Sequence, residues 1–161
     1  MKLRQLSLRK WLRDLAGLDD PPQRIALGLA LGIFVGFLPI MGIQMAAVLP
    51  FAVLFRGNKT AAVMGVWITN PVTVAPIYYL DYQVGLLFTP YESLSRDYFS
   101  RLFDELSLSA FLDLGANVVV PLFVGGFVLG VVFAIPTHFL ARAAVIRFRR
   151  QKERLRARKA A

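Results

Sequence analysis

The polar side chains that could bind a ligand in this chain lie at two proline breaks within otherwise apolar stretches. The first break is PIMG, at residues 39–42, and the second is NPVTVAP, at residues 70–76. Where a helix restarts inside a bilayer, its first N–H groups lack partners and attract an anion. The two restarts, after Gly42 and near Thr73, are therefore predicted to converge on one phosphate or carboxylate. The predicted substrate-binding residues are Pro39, Gly42, Gln44, Thr69, Asn70, Pro71, Thr73, Pro76 and Tyr79.

An alternative interpretation assigns both breaks a purely structural role. In that case Asn70 and Thr73 satisfy the backbone groups that the prolines release from helical hydrogen bonds. The residue types alone leave both interpretations open.

The sequence contains few residues or motifs that are typical of catalysis or metal binding. The chain has no cysteine and one histidine, and it lacks the G-x-S-x-G, P-loop and H-E-x-x-H motifs. His138 is expected to be a packed or interfacial residue, because a lone base without a nucleophile is a poor catalytic candidate. The chain is therefore predicted not to be an enzyme and to hold no metal and no cofactor.

Asp81 is the one acidic residue within the second apolar stretch. It could couple transport to proton movement, or it could lie at the outer membrane surface. A charged side chain costs about 2.5–3.5 kcal/mol at the bilayer centre and much less near the interface. Placement at the outer surface is therefore the favoured interpretation.

The elements that must position these groups are predicted to be membrane helices. Hydrophobic residues make up 57% of the 161 residues and charged residues 18%, whereas a soluble domain is about 45–50% apolar and about 25% charged. Residues 25–55 carry no charge, and one straight helix of that length would reach about 46 Å, against a hydrocarbon core of about 30 Å. Proline disrupts a continuous helix, so this stretch is predicted to fold back at Pro39 as a hairpin.

The predicted fold class is an all-α integral membrane protein with amphipathic interfacial helices. Residues 21–141 form its membrane domain, and Asp20 is the predicted N-cap of the first membrane helix. In chain order the predicted parts are a basic amphipathic interfacial helix (1–20), the helical hairpin broken at Pro39 (24–56), a span broken at Asn70-Pro71 (60–89), an acidic external connector with its own amphipathic helix (90–113), a third transmembrane helix (114–141) and a basic cytoplasmic tail (142–161).

Small residues recur every fourth position in two of the predicted helices. Such stripes let helices approach closely in lipid, so the two stripes are predicted to pack on each other. The alternative is that small residues are simply frequent in membrane helices. The stripes consist of Gly28, Gly32 and Gly36 in the first helix and of Gly126, Gly130 and Ala134 in the third span.

The charges predict the topology. Both termini and the RGNK loop at residues 56–59 are basic, whereas residues 91–113 carry five acidic residues against two arginines. The positive-inside rule places the termini and the loop in the cytoplasm and the acidic connector outside. The basic termini are predicted to contact anionic lipid headgroups and not nucleic acid, because the tail directly follows a span and contains few aromatic residues.

The order of LGIFVGFLPIMGIQ, RGNK and GVWITNPVTVAPIYYLDYQVG resembles the bacterial membrane family known as domain of unknown function 2062. The flanking DPPQRIALG is similar to the start of that family's first helix. The resemblance covers roughly residues 11–130 and is strongest between Gly28 and Gly85. It implies a bacterial inner-membrane protein, accompanied in some relatives by a neighbouring or fused glycosyltransferase, and it implies no established activity.

Two functions fit these features. The first is a small transporter or flippase for an anionic envelope substrate, such as a lipid-linked phosphate, held at the paired breaks. The second is a non-catalytic membrane scaffold or anchor for a partner such as an envelope glycosyltransferase. A chain with so few spans is also expected to form a homo-oligomer if it is to enclose a pathway.

Overall fold

The computed structural model describes residues 13–40, 42–91, 93 and 108–160. All regular structure in these residues is helical, which confirms the predicted all-α class. Residues 13–16 form a helical turn, and five longer helices follow: α1 (Pro22–Phe37), α2 (Gln44–Leu54), α3 (Lys59–Val66), α4 (Val74–Phe88) and α5 (Leu108–Ala160). The predicted helix within the acidic connector lies outside the described residues, as do the first twelve residues of the predicted interfacial helix.

Helix α1 begins and ends at prolines. Pro22 occupies the start of the helix, where a missing N–H costs nothing, and the chain becomes extended at Leu38, just before Pro39. The predicted N-cap is wrong, because Pro21 takes that position. The carboxylate of Asp20 instead accepts hydrogen bonds from other side chains, described below.

Helices α1 and α2 form the predicted hairpin. The backbone N–H of Asn58, just beyond α2, donates to the carbonyl of Arg24 at 2.8 Å, and Nε of Arg24 donates to the carbonyl of Arg56 at 3.0 Å. These bonds join the end of the hairpin to its beginning. Pro50 lies inside α2.

The glycine stripe of α1 packs against α3. A Cβ added to Gly28 would meet the backbone of Asn58, one on Gly32 would meet Ala62 and Gly65, and one on Gly36 would meet Ile68. The contacts advance in the same direction along both helices, so α3 runs parallel to α1. The absence of side chains at these positions lets the two backbones approach closely.

The predicted pairing of the two glycine stripes is therefore wrong. Gly126 and Gly130 of α5 do contact α1, but on a different face of that helix, at Phe37 and Phe34. The ring of Phe34 also packs edge-on against that of Phe127, with centroids 5.6 Å apart. Gly126 thus lets α5 approach the backbone carbonyl of Phe37 closely, and Gly130 leaves room for the ring of Phe34.

Helix α5 runs antiparallel to α1 and α4 and extends along both. Its N-terminal part packs on α4 and its later part on α1, and the tip of the hairpin lies about level with Asp81, near the middle of α4. The contacts that establish this order along α5 are Pro121 with Gly85, Gly125 with Asp81, Gly126 with Phe37, Gly130 with Phe34, and Arg149 with the backbone of residues 16–20.

Buried apolar residues form two clusters. One joins the hairpin to α3 and contains Val35, Val48 and Val66. The other lies at the basic end and includes Leu15 together with Val145 of α5. Leu15 is therefore buried within the protein, whereas the amphipathic pattern predicted that it faces lipid.

Of the described helices, α5 is the one long and apolar enough to cross a membrane, over Gly115–Leu155. Only 22% of its most apolar window is buried, whereas the core helix of a soluble protein is mostly covered. Large exposed apolar residues also lie on α2 and α4, among them Leu54, Leu80 and Phe88. Extended apolar surfaces of this kind are typical of proteins that associate with membranes.

Candidate site at the two helix breaks

The two helix breaks contact each other, as the sequence predicts. The side-chain amide of Gln44 donates to the carbonyl of Thr69 at 3.3 Å, and the hydroxyl of Thr69 donates to the carbonyl of Gly36. Both side chains are buried. The hydroxyl of Tyr78 adds a longer bond of 3.4 Å to the carbonyl of Leu38. The end of α1, the start of α2 and the end of α3 therefore meet at one junction.

The first break leaves the start of α2 without a side-chain cap. Gly42 has a φ of +99°, a conformation that favours glycine, and a Cβ at this position would meet nothing within 4 Å. Helix α2 then begins at Gln44, with Ile43 at the N-cap position. The Oε1 atom of Gln44 is buried and has no hydrogen-bond partner among the described residues. The first turn of α2 thus offers backbone donors beside an unused acceptor.

The second break is closed by its own side chains. Oδ1 of Asn70 accepts from the N–H groups of Val72 and Thr73 at 2.9 and 3.2 Å. The hydroxyl of Thr73 donates to the carbonyl of Ile68 at 2.6 Å and accepts from the N–H of Asn70 at 3.0 Å. Asn70 and Thr73 therefore satisfy local backbone groups, which is the structural role that the sequence left as an alternative.

The remaining predicted substrate-binding residues are not gathered at this junction. Pro71, Pro76 and Tyr79 are exposed on the outer surface of α4 and the turn before it. Pro39 is half-buried, and its ring lies near Gly126. The arrangement that could bind a ligand is thus narrower than predicted and centres on Gln44.

Asp81 is fully buried where α4 crosses α5. This burial does not test the predicted depth of Asp81 near the outer membrane surface, which stays a prediction. Its backbone carbonyl lies against Gly125, and one turn further on Gly85 lies against Pro121. Neither carboxyl oxygen has a hydrogen-bond partner in the described part of the chain. An enclosed carboxylate without donors is costly unless it takes up a proton or a cation. No local sequence pattern indicates this burial, because the glycines that create the crossing lie in different helices at unrelated spacings.

A second polar cluster, at the basic end of the molecule, was also not predicted from the sequence. The carboxylate of Asp20 accepts from Nη1 of Arg24 at 2.8 Å and from Nδ2 of Asn58 at 2.6 Å. Oδ1 of Asn58 in turn caps α3 by accepting from the N–H of Ala61 at 2.8 Å. The DPPQR segment (residues 20–24) and the RGNK loop (residues 56–59) therefore belong to one hydrogen-bonded network. Their proximity depends on the closure of the hairpin and not on any local pattern.

The described residues contain no group of three or more His, Cys, Asp or Glu side chains that could hold a metal ion. The ring of His138 packs edge-on against Phe139, with centroids 5.4 Å apart. Its Nδ1 atom is buried and makes no hydrogen bond within the described residues.

The sequence model of one protein family matches residues 5–154, and this family is described as "Uncharacterized protein conserved in bacteria (DUF2062)". The match includes both breaks, the basic loop and nearly all of α5. No curated protein and no solved structure matches the chain.

Proposed function

The chain belongs to the bacterial family DUF2062, and from this premise we propose that it is a polytopic inner-membrane protein that binds and moves an anionic, phosphate-headed lipid. The substrate occupies the junction of the two helix breaks. The proposal assigns no catalytic residue and no cofactor.

In the proposed arrangement the hairpin is re-entrant. Helix α1 has 16 residues and is about 24 Å long, which is shorter than a hydrocarbon core of about 30 Å. Its tip lies about level with Asp81, and α4 continues beyond this level to Phe88. The broken span of α3 and α4 then crosses the membrane, and α5 returns. Both basic termini and the RGNK loop lie in the cytoplasm, as the positive-inside rule requires.

The observation that carries the proposal is the hydrogen bonding of the buried Gln44 side chain. Its amide nitrogen donates to the second break, while Oε1 is buried beside the start of α2 and has no hydrogen-bond partner among the described residues. A buried acceptor without a partner costs about 1–3 kcal/mol, so a ligand that supplies the missing donor is favoured there. In the proposed complex a phosphate group accepts from the N–H groups of α2, and a protonated oxygen of the same phosphate donates to Oε1 of Gln44.

Asp81 is the proposed coupling group. Its carboxyl is enclosed at the crossing of α4 and α5 and has no hydrogen-bond partner among the described residues, and an ionisable group buried in this way within a membrane is a candidate for coupling. Helix α4 also carries Tyr78, which contacts the first break. A change of charge at Asp81 is therefore transmitted to the junction through one helix.

The experiment measures binding of a polyprenyl monophosphate to the full chain in nanodiscs, for the wild type and for Gln44→Leu. Loss of the polar side chain should weaken binding about ten- to hundredfold, since one hydrogen bond to a charged group contributes about 1.5–3 kcal/mol. Met45→Leu, at the exposed neighbouring position, is the matched control and should bind as the wild type does. Unchanged binding per folded molecule in Gln44→Leu would refute the site.

A second candidate function is a non-catalytic scaffold for a partner such as an envelope glycosyltransferase. The observation that favours it is that Asn70 and Thr73 hydrogen-bond to their own backbone, as a purely structural break would. Under this alternative no lipid binds at the junction, and the exposed basic end of α5 is the functional surface. Co-purification of a partner that depends on residues 142–161, together with unchanged lipid binding in Gln44→Leu, would favour the scaffold.

A further inference from the structure

A cavity of about 520 Å³ opens at the basic end of the molecule, far from the helix breaks. Its lining residues come from the start of α1, the end of α2 and the loop before α3, and they are Arg24, Ala52, Val53, Arg56, Gly57 and Lys59. Three of these six carry a positive charge. Within the described residues the only ion pair is that of Arg24 with Asp20, so Arg56 and Lys59 have no acidic partner there.

The backbone at Arg56 is unusual. The N–H of Arg56 donates to the carbonyl of Val53 at 3.1 Å, and the N–H of Gly57 donates to that of Ala52 at 2.8 Å. This pair of bonds is a Schellman motif, in which the position of Arg56 is most often glycine because it requires a positive φ. Arg56 adopts a φ of +57°, and it is the one described non-glycine residue with a positive φ.

The next residue, Gly57, is a glycine for a different reason. A Cβ on Gly57 would lie 3.0 Å from the backbone nitrogen of Gly28, so this glycine serves the packing of the loop on α1. The hydrogen bonds of Arg56 to other described residues are made by its backbone, and the residue lines the cavity. Backbone strain of this kind is characteristic of functional positions, and the feature that Arg56 adds is its guanidinium.

One of the three cationic groups, the guanidinium of Arg24, is held in place before any ligand binds. Nε of Arg24 donates to the carbonyl of Arg56, which fixes the strained residue, and Asp20 holds Nη1 of the same guanidinium. The side chain of Asn58 ties Asp20 to the loop. Arginine and lysine side chains that converge on one cavity are suited to a phosphate group, since arginine binds it in two-pronged fashion and lysine acts as a point charge.

The remaining wall of the cavity is apolar. Val53 lines it, and the adjoining outer face of α2 exposes Leu54 and Phe55. A free phosphate ion would leave this wall unused, whereas a lipid can place its headgroup on the cations and its acyl chains along α2. We propose that this cavity is a binding site for the phosphate of an anionic phospholipid. The site is separate from the junction at Gln44 and does not depend on transport.

The test uses the full chain purified in detergent and titrated with phosphatidylglycerol, phosphatidylcholine or inorganic phosphate, with the melting temperature as the readout of binding. Phosphatidylglycerol should stabilise the wild type at concentrations at least tenfold lower than phosphatidylcholine, and inorganic phosphate should have little effect. Stabilisation by inorganic phosphate equal to that by phosphatidylglycerol would overturn the assignment to a lipid.

Arg56→Gly is the decisive variant, because glycine suits the positive φ. It should melt at the same or a higher temperature without lipid and bind phosphatidylglycerol at least tenfold more weakly. Arg56→Asn, which also tolerates this conformation, provides the same test if the glycine variant fails to fold. Arg150→Gln removes one exposed positive charge outside the cavity and should bind normally. Normal binding by both Arg56 variants, or an equal loss in Arg150→Gln, would refute the site. Gln44→Leu should leave this binding unchanged.

Discussion

The side-chain amide of Gln44 donates to the carbonyl of Thr69, a residue 25 positions later in the chain. In an uninterrupted helix this carbonyl would accept from the N–H of Thr73, but that N–H turns to Asn70 instead. Gln44 therefore satisfies a backbone group that the second break sets free. The bond joins the two breaks, so the residue proposed to bind the ligand also stabilises the junction that contains it.

The glycines of the two helix interfaces should differ in their tolerance of alanine. At Gly32 a new methyl group would meet the backbone of α3, which cannot move aside, whereas at Gly130 the nearest atom belongs to the ring of Phe34. Gly32→Ala should therefore destabilise the protein by about 1–3 kcal/mol and Gly130→Ala by clearly less. Melting temperatures in detergent would measure both. Gly115→Ala, where nothing lies within 4 Å, serves as the control. Equal tolerance at Gly32 and Gly130 would contradict the close packing of α1 on α3.

Replacing Asp81 by an apolar residue should not weaken the fold. Its carboxyl is buried without hydrogen-bond partners in the described residues, so Asp81→Leu removes a group that is costly to bury. The variant is expected to unfold at the same or a higher temperature and to lose transport. A control at the neighbouring exposed position, Leu80→Ala, should retain transport. A large loss of stability in Asp81→Leu would show that the carboxyl has a partner and is a structural group.

The proposed topology can be tested directly, because the chain contains no cysteine. Ala160→Cys should react with a membrane-impermeant thiol reagent only after the cells are opened, since the basic tail is expected in the cytoplasm. Ser95→Cys, in the acidic connector, should react in intact cells. The reverse pattern would invert the topology, and labelling of both from outside would exclude an odd number of crossings between them, including the single crossing proposed for α5.

Arg149 should anchor the N-terminal segment to α5. Its guanidinium donates to the carbonyls of Ala16, Leu18 and Asp20 at 3.2, 2.5 and 2.9 Å. Arg149→Gln loses charge-assisted bonds that contribute about 1.5–3 kcal/mol each, so limited proteolysis should cut the segment before α1 more rapidly. Arg150→Gln carries the same change at an exposed neighbour and should resist cleavage as the wild type does. Equal cleavage of the two variants would show that the segment is held by apolar contacts alone.

The parts of the fold that depend on local chemistry could be predicted from the sequence. Pro39 and Asn70-Pro71 lie where helices are interrupted, and helices α1 to α4 begin and end within a few residues of the predicted positions. Pro50, Pro121 and Pro136 lie inside helices, so a proline alone does not locate a break. The apolar length of α5 and its continuation into the basic tail likewise follow from composition. The meeting of the two breaks was also predictable, because irregular backbone requires partners.

Contacts between residues that lie far apart in the sequence were harder to predict. The spacing of Gly28, Gly32 and Gly36 shows that some helix approaches closely but does not identify which one. The burial of Asp81 depends on Gly85 and Gly125, which follow no shared motif. The capping residue was misassigned because Asp20 has a partner in Asn58, 38 positions away, that competes for its carboxylate.

The position of α5 at the end of the chain has a consequence for biosynthesis. Helix α4 packs mainly on α5, and Gly125 of α5 lies against the backbone of Asp81. While the ribosome is still making residues beyond α4, this helix has no completed surface to pack on. In the proposed membrane arrangement Asp81 would then face lipid, which penalises an acidic group. Helix α4 is therefore expected to leave the translocation channel together with α5, as a pair that has already covered Asp81.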